Sequence, residues 1–219
     1  MAGGIGLQFL FGRASWPARP WAGMREMDHG IDATKPTDDA SARHEAAHAV
    51  VCVRLGLPLA YTTIRPGAGA DATINPDAQR TMPPGVTLVS AGYTTLEPGT
   101  VEQWQAALPD PAAQARIQAV AVKTAAGMVT EAERGAHVLD ASDRGDFVDL
   151  LQVAAVVLRI PFKSNDPPPA VRAWCAARLT EAETLLHADG GAAWDRVTAA
   201  LLERKRLSGD EVRTLVGSR

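Results

Sequence analysis

One short segment constrains this chain more than any other, because its spacing places two imidazoles on one face of a helix with a carboxylate between them. Residues 43–48 read Arg43-His44-Glu45-Ala46-Ala47-His48. Histidines at i and i+4 share one helical face, a spacing that lets both hold one Zn²⁺ while the intervening glutamate activates a water. Two histidines at that spacing can also be ordinary solvated or core side chains, so the flanking sequence decides. Pro36, Thr37, Asp38 and Asp39 supply candidate caps upstream, and Gly56 with Pro58 supplies a stop, which predicts a helix from about Ala40 to Leu55. Val51, Cys52 and Leu55 continue the stripe begun by His44 and His48, so the imidazoles face the core. Burying them there without partners costs free energy that metal coordination would offset. The pattern points to a zinc metallopeptidase with Glu45 as its general base.

A catalytic zinc takes three protein ligands and leaves one position open. The residues after His48 are Ala49, Val50, Val51, Cys52, Val53 and Arg54, with neither the Gly nor the His of the metzincin extension. His29 falls in an aperiodic segment, His137 in an expected loop and His187 at an expected helix end, and all three read as surface residues. Carboxylates on inward helical faces remain as candidates for the third ligand: Asp146, Asp143 and Glu131.

The rest of the chain supports one globular domain of the α+β class, predominantly α. Ala60 to Arg65 and Val86 to Thr95 are β-branched and aromatic runs bounded by Pro and Gly, predicting two or three short strands. Between them, residues 67–85 are rich in Gly, Ala, Asp and Pro and read as a loop insertion. From about Pro111 the pattern is helical. Ile117, Val120, Thr124, Gly127, Met128 and Glu131 mark one inward face, and Phe147, Leu150, Leu151, Ala154, Val157 and Leu158 mark the next, whose backward extension reaches Asp146 and Asp143. Two further helices carry Val171 to Leu186 and Trp194 to Leu201, and Ser208 with Glu211 forms a capping box for a last one. Residues 1–39 lack any period and are expected to be disordered, and Met24 and Met27 leave later translation starts open.

With a net charge of -3 and no strongly basic stretch, the chain is not expected to bind nucleic acid or an anionic membrane. No apolar run approaches the roughly 18 residues of a transmembrane helix, and no signal peptide is predicted. Cys52 and Cys175 sit in apolar helical patterns and read as buried thiols, which fits a cytoplasmic location.

The order of these features resembles the peptidase domain of the FtsH-type, ATP-dependent zinc metalloproteases. His44-Glu45-Ala46-Ala47-His48-Ala49 is similar to that family's HEAGHA, Thr63-Ile64-Arg65-Pro66 to the strand after it, and Ala91-Gly92-Tyr93-Thr94 to its LGYT strand. Gly127-Met128-Val129-Thr130-Glu131 resembles its GGRAAE segment, and Ala141-Ser142-Asp143-Arg144-Gly145-Asp146-Phe147 its ASNDL segment. Leu201-Leu202-Glu203 and Leu207-Ser208-Gly209-Asp210-Glu211-Val212 resemble its closing LLExExLxGxEI. The likeness spans about residues 40–217 and delimits a domain at 40–219.

The resemblance implies that His44, His48 and Asp146 are the zinc ligands, Asp146 standing where the family has the Asp of its ND pair. It implies that Glu45 is the general base. Asp143, an acid at the start of its helix, reads as an N-cap or a partner of the macrodipole, and Glu131 is placed just outside the ligands, its partner being the metal, a ligand's imidazole N–H or another buried donor. The resemblance implies as well that Gly92, Tyr93 and Thr94 form an edge strand to which a substrate polypeptide pairs. The chain departs from the family in lacking a G-x-x-x-x-G-K-S/T phosphate loop and membrane anchors. A separate ATPase or adaptor is therefore an expected candidate partner, without which only short or unfolded polypeptides would be cleaved. The oligomeric state is open. The alternative function is a catalytically inactive zinc-binding or interaction module with the same fold.

Overall fold

A computed structural model describes residues 38–64, 93–108, 110–133, 141–160, 162 and 167–217. The segment expected to be disordered, except its last two residues, lies outside the described residues, as do the insertion at 67–85, His29 and His137. The elements are α1 (Asp38–Arg54), β1 (Leu59–Thr63), β2 (Tyr93–Leu96), α2 (Thr100–Ala106), α3 (Pro111–Glu133), α4 (Ala141–Leu158), α5 (Pro169–Leu186), α6 (Ala192–Arg204), β3 (Arg206–Ser208) and α7 (Gly209–Gly217). Helices predominate beside one small antiparallel sheet, the α+β arrangement expected. No described helix is long and apolar enough to cross a membrane.

The predicted helix around the HExxH motif is α1, and it is the axis of the fold. Asp38 and Asp39 sit at its positive end, and the chain leaves it through Gly56 at a left-handed φ of 64°. Its burial goes beyond the expected single stripe: Ala42, Ala46, Ala47, Ala49, Val50, Val51 and Cys52 are all fully buried. The physical reason is side-chain size. Alanines between the stripe positions add no bulk, so α3 and α6 and the sheet all close on α1. At its start, Trp194 of α6 is fully buried and its Nε1–H donates to the Arg43 carbonyl at 2.8 Å. The Arg43 guanidinium covers the same indole at 3.7 Å and pairs with Asp195 at 3.1 Å. At its end, Arg54 pairs with Asp189 at 2.7 Å and donates to the Leu185 and Leu186 carbonyls, capping the last turn of α5.

The sheet order is β2-β1-β3, with β1 in the centre and both pairs antiparallel. Thr62 stands opposite Thr94 and Leu207 in its two neighbours. Neither β3 nor α2 follows from the sequence pattern. The third strand has only three residues, with Leu207 alone buried, so no alternation announces it. It exists because Lys205 takes a left-handed φ of 65° after α6 and turns the chain alongside β1, where its carbonyl accepts from Ile64 N–H at 2.9 Å and Thr63 Oγ1 at 2.8 Å.

The capping box forms as expected: Ser208 N–H donates to Glu211 Oε2 at 2.7 Å, and Glu211 N–H to Ser208 Oγ at 3.3 Å. Between them, Gly209 lets α7 begin directly against β1, since a Cβ there would lie 1.9 Å from the Leu59 carbonyl oxygen. The two cysteines are buried and free, as expected, and burial pushes both thiols up to about 11. Helix α3 runs between α1, α4 and α5 and is buried on more sides than one stripe, with Ala121, Val122, Ala125 and Ala126 all at or near zero exposure. That position delivers α4 to the HExxH face.

Candidate metal centre

His44 and His48 lie one turn apart on α1, 7% and 3% exposed, with rings edge to face and centroids 4.7 Å apart. Their Nε2 atoms are 3.1 Å from each other. Asp146, in the second turn of α4, brings Oδ2 to 3.2 Å from His44 Nε2 and 3.0 Å from His48 Nε2. Three donor atoms therefore occupy the corners of a nearly equilateral triangle. A metal bound by His and carboxylate at about 2.0–2.2 Å spaces tetrahedral ligands about 3.3–3.6 Å apart, so the triangle need open by only a few tenths of an ångström. The cluster can hold a metal ion, and it is the one such group among the described residues.

Proton positions sharpen this reading. His48 Nδ1 lies 2.7 Å from the Lys123 carbonyl of α3, which only accepts, so Nδ1 carries the hydrogen and donates. In a neutral ring that leaves the Nε2 lone pair facing the triangle, the arrangement in which metal-bound histidines are held. Asp146 Oδ2 is buried and, among the described residues, has no hydrogen-bond partner beyond the two ring nitrogens it faces. The His48 lone pair and the Asp146 carboxylate thus converge in a buried place, and a cation seated among the three groups would satisfy both. Burial works to raise the Asp146 carboxyl, but the His48 and His44 rings outweigh it and hold the group well below the usual carboxylate range.

A glycine makes room for the triangle. A Cβ on Gly127 of α3 would lie 2.5 Å from Asp146 Oδ2, 2.5 Å from His44 Cε1 and 2.6 Å from His48 Cε1. Only hydrogen fits there. Sequence reasoning put Gly127 on the inward face of its helix but gave it no role. The available signal is a glycine in a helix interior, where it costs about 1 kcal/mol relative to alanine, and which marks close approach of another group.

Glu45, between the two histidines, is 6% exposed, and its partners come from the sheet. Thr94 Oγ1 of β2 donates to Glu45 Oε2 at 2.8 Å and also lies 3.0 Å from the Glu45 carbonyl oxygen. Thr62 Oγ1 of β1, cross-strand from Thr94, is 2.8 Å from Thr94 Oγ1 and 3.5 Å from the Glu45 carbonyl. The general-base candidate is thus tied to the two strands by a pair of buried hydroxyls. That pair went unnoticed in the sequence, where Thr62 is one of many β-branched residues.

Four predicted residues, His44, Glu45, His48 and Asp146, are therefore gathered in one place. Thr94 is there too, but its side chain holds Glu45, so only its main chain remains for the expected substrate contact. Tyr93 pairs through its backbone with Thr63, while its side chain and all of Gly92 lie outside the described residues. Glu131 falls four positions after Gly127, on the same face of α3, and its side chain lies outside the described residues. Asp143 was expected as an N-cap or a partner of the helix dipole; α4 starts at Ala141, which places Asp143 in its first turn, the position of the second alternative. Its side chain, too, lies outside the described residues. No protein-family model matches this chain, and no curated protein matches it.

Proposed function

We propose that this chain is a zinc-dependent metalloendopeptidase resembling the proteolytic domain of FtsH-type proteases. One observation carries the reading. Two imidazole nitrogens and a carboxylate oxygen meet within 3.2 Å of one another, and the glutamate between the histidines is buried and hydrogen-bonded. A donor set of two histidines and one carboxylate suits zinc and leaves a fourth position open.

Zinc held by His44, His48 and Asp146 would polarise the scissile carbonyl and bring the pKa of the attacking water to about 7. Everything else falls to the chain. Glu45 takes the proton of that water on its carboxylate and passes it to the leaving amine, alternating between base and acid. Lys123 fixes the tautomer of His48 through its carbonyl. Gly127 keeps α3 close enough to exclude bulk water without crowding the ligands. Glu131 is the proposed outer carboxylate that steadies the set. The main chain of Gly92, Tyr93 and Thr94 is the proposed docking edge for an extended substrate, pairing on the side of β2 away from β1. Unless an ATPase supplies unfolding, the substrates are short or already unfolded polypeptides.

The test is zinc stoichiometry and cleavage of unfolded casein by wild type and Glu45→Gln. Bound zinc with cleavage lost in the variant is expected, whereas zinc without Glu45-dependent cleavage would reduce the protein to a metal-binding module. Substituting Asp146 and Glu131 in turn should remove zinc only in the first case.

A further inference from the structure

The Thr62 and Thr94 hydroxyls have a chemistry that the hydrolysis scheme does not use. Both threonines are buried, 0% and 9% exposed, and both direct Oγ1 at the same residue, Glu45. They are direct cross-strand partners, so the sheet register sets their spacing. An ionised carboxylate is the strongest acceptor within reach, and Thr94 has a single proton to give. It therefore donates to Glu45 Oε2 at 2.8 Å, and its lone pair accepts the Thr62 proton at 2.8 Å. The Thr94 hydroxyl also has a second acceptor in the Glu45 carbonyl at 3.0 Å.

We infer that Thr94, aligned by Thr62, is a positioning residue for Glu45: the hydroxyl pair holds its carboxyl group in one rotamer against the sheet. The inference rests on the peptidase reading for its kinetic consequence, but not for the hydrogen bond itself. Neither threonine's hydroxyl touches substrate or metal ligand in this account; Thr94 meets substrate through its main chain alone. Their effect belongs in turnover, not in substrate binding or metal content.

The experiment uses the full chain loaded with zinc. Thr94→Val keeps the shape and removes the hydroxyl, and is expected to lower kcat about 10- to 100-fold, the worth of a hydrogen bond to a charged group, with KM and zinc content unchanged. Thr94→Ser should restore most of the loss. Thr62→Val should give a smaller loss, because it removes only the donor into Thr94. A kcat unaffected by Thr94→Val, or a loss that serine does not rescue, overturns the proposal, as does a loss accompanied by falling zinc content. Activity-independent evidence comes from a double-mutant cycle on unfolding of the metal-free chain, combining Thr94→Val with Glu45→Leu, which removes the acceptor. Coupling of about 10-fold or more in the folding constant is expected, and additive effects overturn the hydrogen bond. If wild type shows no Glu45-dependent cleavage, the peptidase reading fails, and the cycle alone then decides for or against the hydroxyl pair.

Discussion

Replacing Gly127 with alanine adds one methyl group at the point where three elements meet. The new Cβ would stand 2.5 Å from Asp146 Oδ2, 2.5 Å from His44 Cε1 and 2.6 Å from His48 Cε1. Ordinary contact begins near 3.5 Å, so each of the three groups must retreat by about 1 Å, or α3 must withdraw from α1. Metal sites tolerate ligand displacements of about 0.2 Å. Binding should weaken at least 100-fold, equivalent to about 2.7 kcal/mol. The metal-free protein should change less, because the overpacking penalty of about 1–3 kcal/mol is offset by the gain of about 1 kcal/mol on replacing glycine in a helix. At a zinc concentration 100 times the wild-type Kd, zinc stabilises wild type by about 2.7 kcal/mol and the variant by about 0.4 kcal/mol. Thermal unfolding with and without zinc reads this as a rise of about 5–11 °C in wild type against 1–2 °C in the variant. Gly217→Ala is the control, since nothing lies within 4 Å of a Cβ there. A Gly127→Ala protein with undiminished zinc affinity would refute the packing of α3 against the triangle, and the metal centre with it.

Further outcomes follow from the structure. Asp146→Asn should abolish zinc binding, which a competing chromophoric chelator would follow. Because the Asp146 carboxyl is depressed in the fold, its own contribution to stability is present above the ordinary carboxylate value and is lost only as pH falls toward its lower folded one. The raised thiols act in the opposite direction. Each is pushed from 9.0 to about 11, so its stabilisation is full below pH 9 and is lost as pH rises toward 11. The loss is up to about 2–3 kcal/mol per thiol, measurable by denaturant titration at pH 8 and pH 10.5. Gly209→Ala should be among the most damaging substitutions, about 3 kcal/mol or more, because the added carbon meets backbone at Leu59 and no side chain can yield; chemical denaturation measures it directly.

What the sequence disclosed about this protein was its local chemistry. Caps and breaks bound α1, the i, i+4 spacing paired His44 with His48, and periodicity turned Asp146 inward on α4, all within a turn or two of chain. The Ser208 and Glu211 capping box is equally local and equally legible. The hidden features are made by distant segments. Lys123 contributes through its carbonyl, an atom every residue has, and so leaves no mark in the sequence. Gly127 matters through a missing methyl group that only the approach of α1 and α4 makes significant. Thr62 and Thr94 are ordinary strand residues until the register of β1 and β2 sets them opposite each other. The third strand depends on a backbone turn at Lys205, a residue with no preference for that conformation.

His44 and Asp146 are separated by about 100 residues of chain. A metal joining them is topologically a cross-link, comparable in chain-entropy terms to a disulfide closing a ring of that size, worth about 4–5 kcal/mol. All of residues 67–85 lie inside the ring, and the entropy of closing it grows only with the logarithm of its length. Deleting those nineteen residues would change it by about 0.2 kcal/mol. A ring closed by a bound metal would therefore be tolerant of its contents: that segment could lengthen or shorten with little effect on the cross-link. Severed there, the chain would become two fragments, one carrying both imidazoles and the other the carboxylate, which the packing of α1 on α3 and a shared ion would together have to hold.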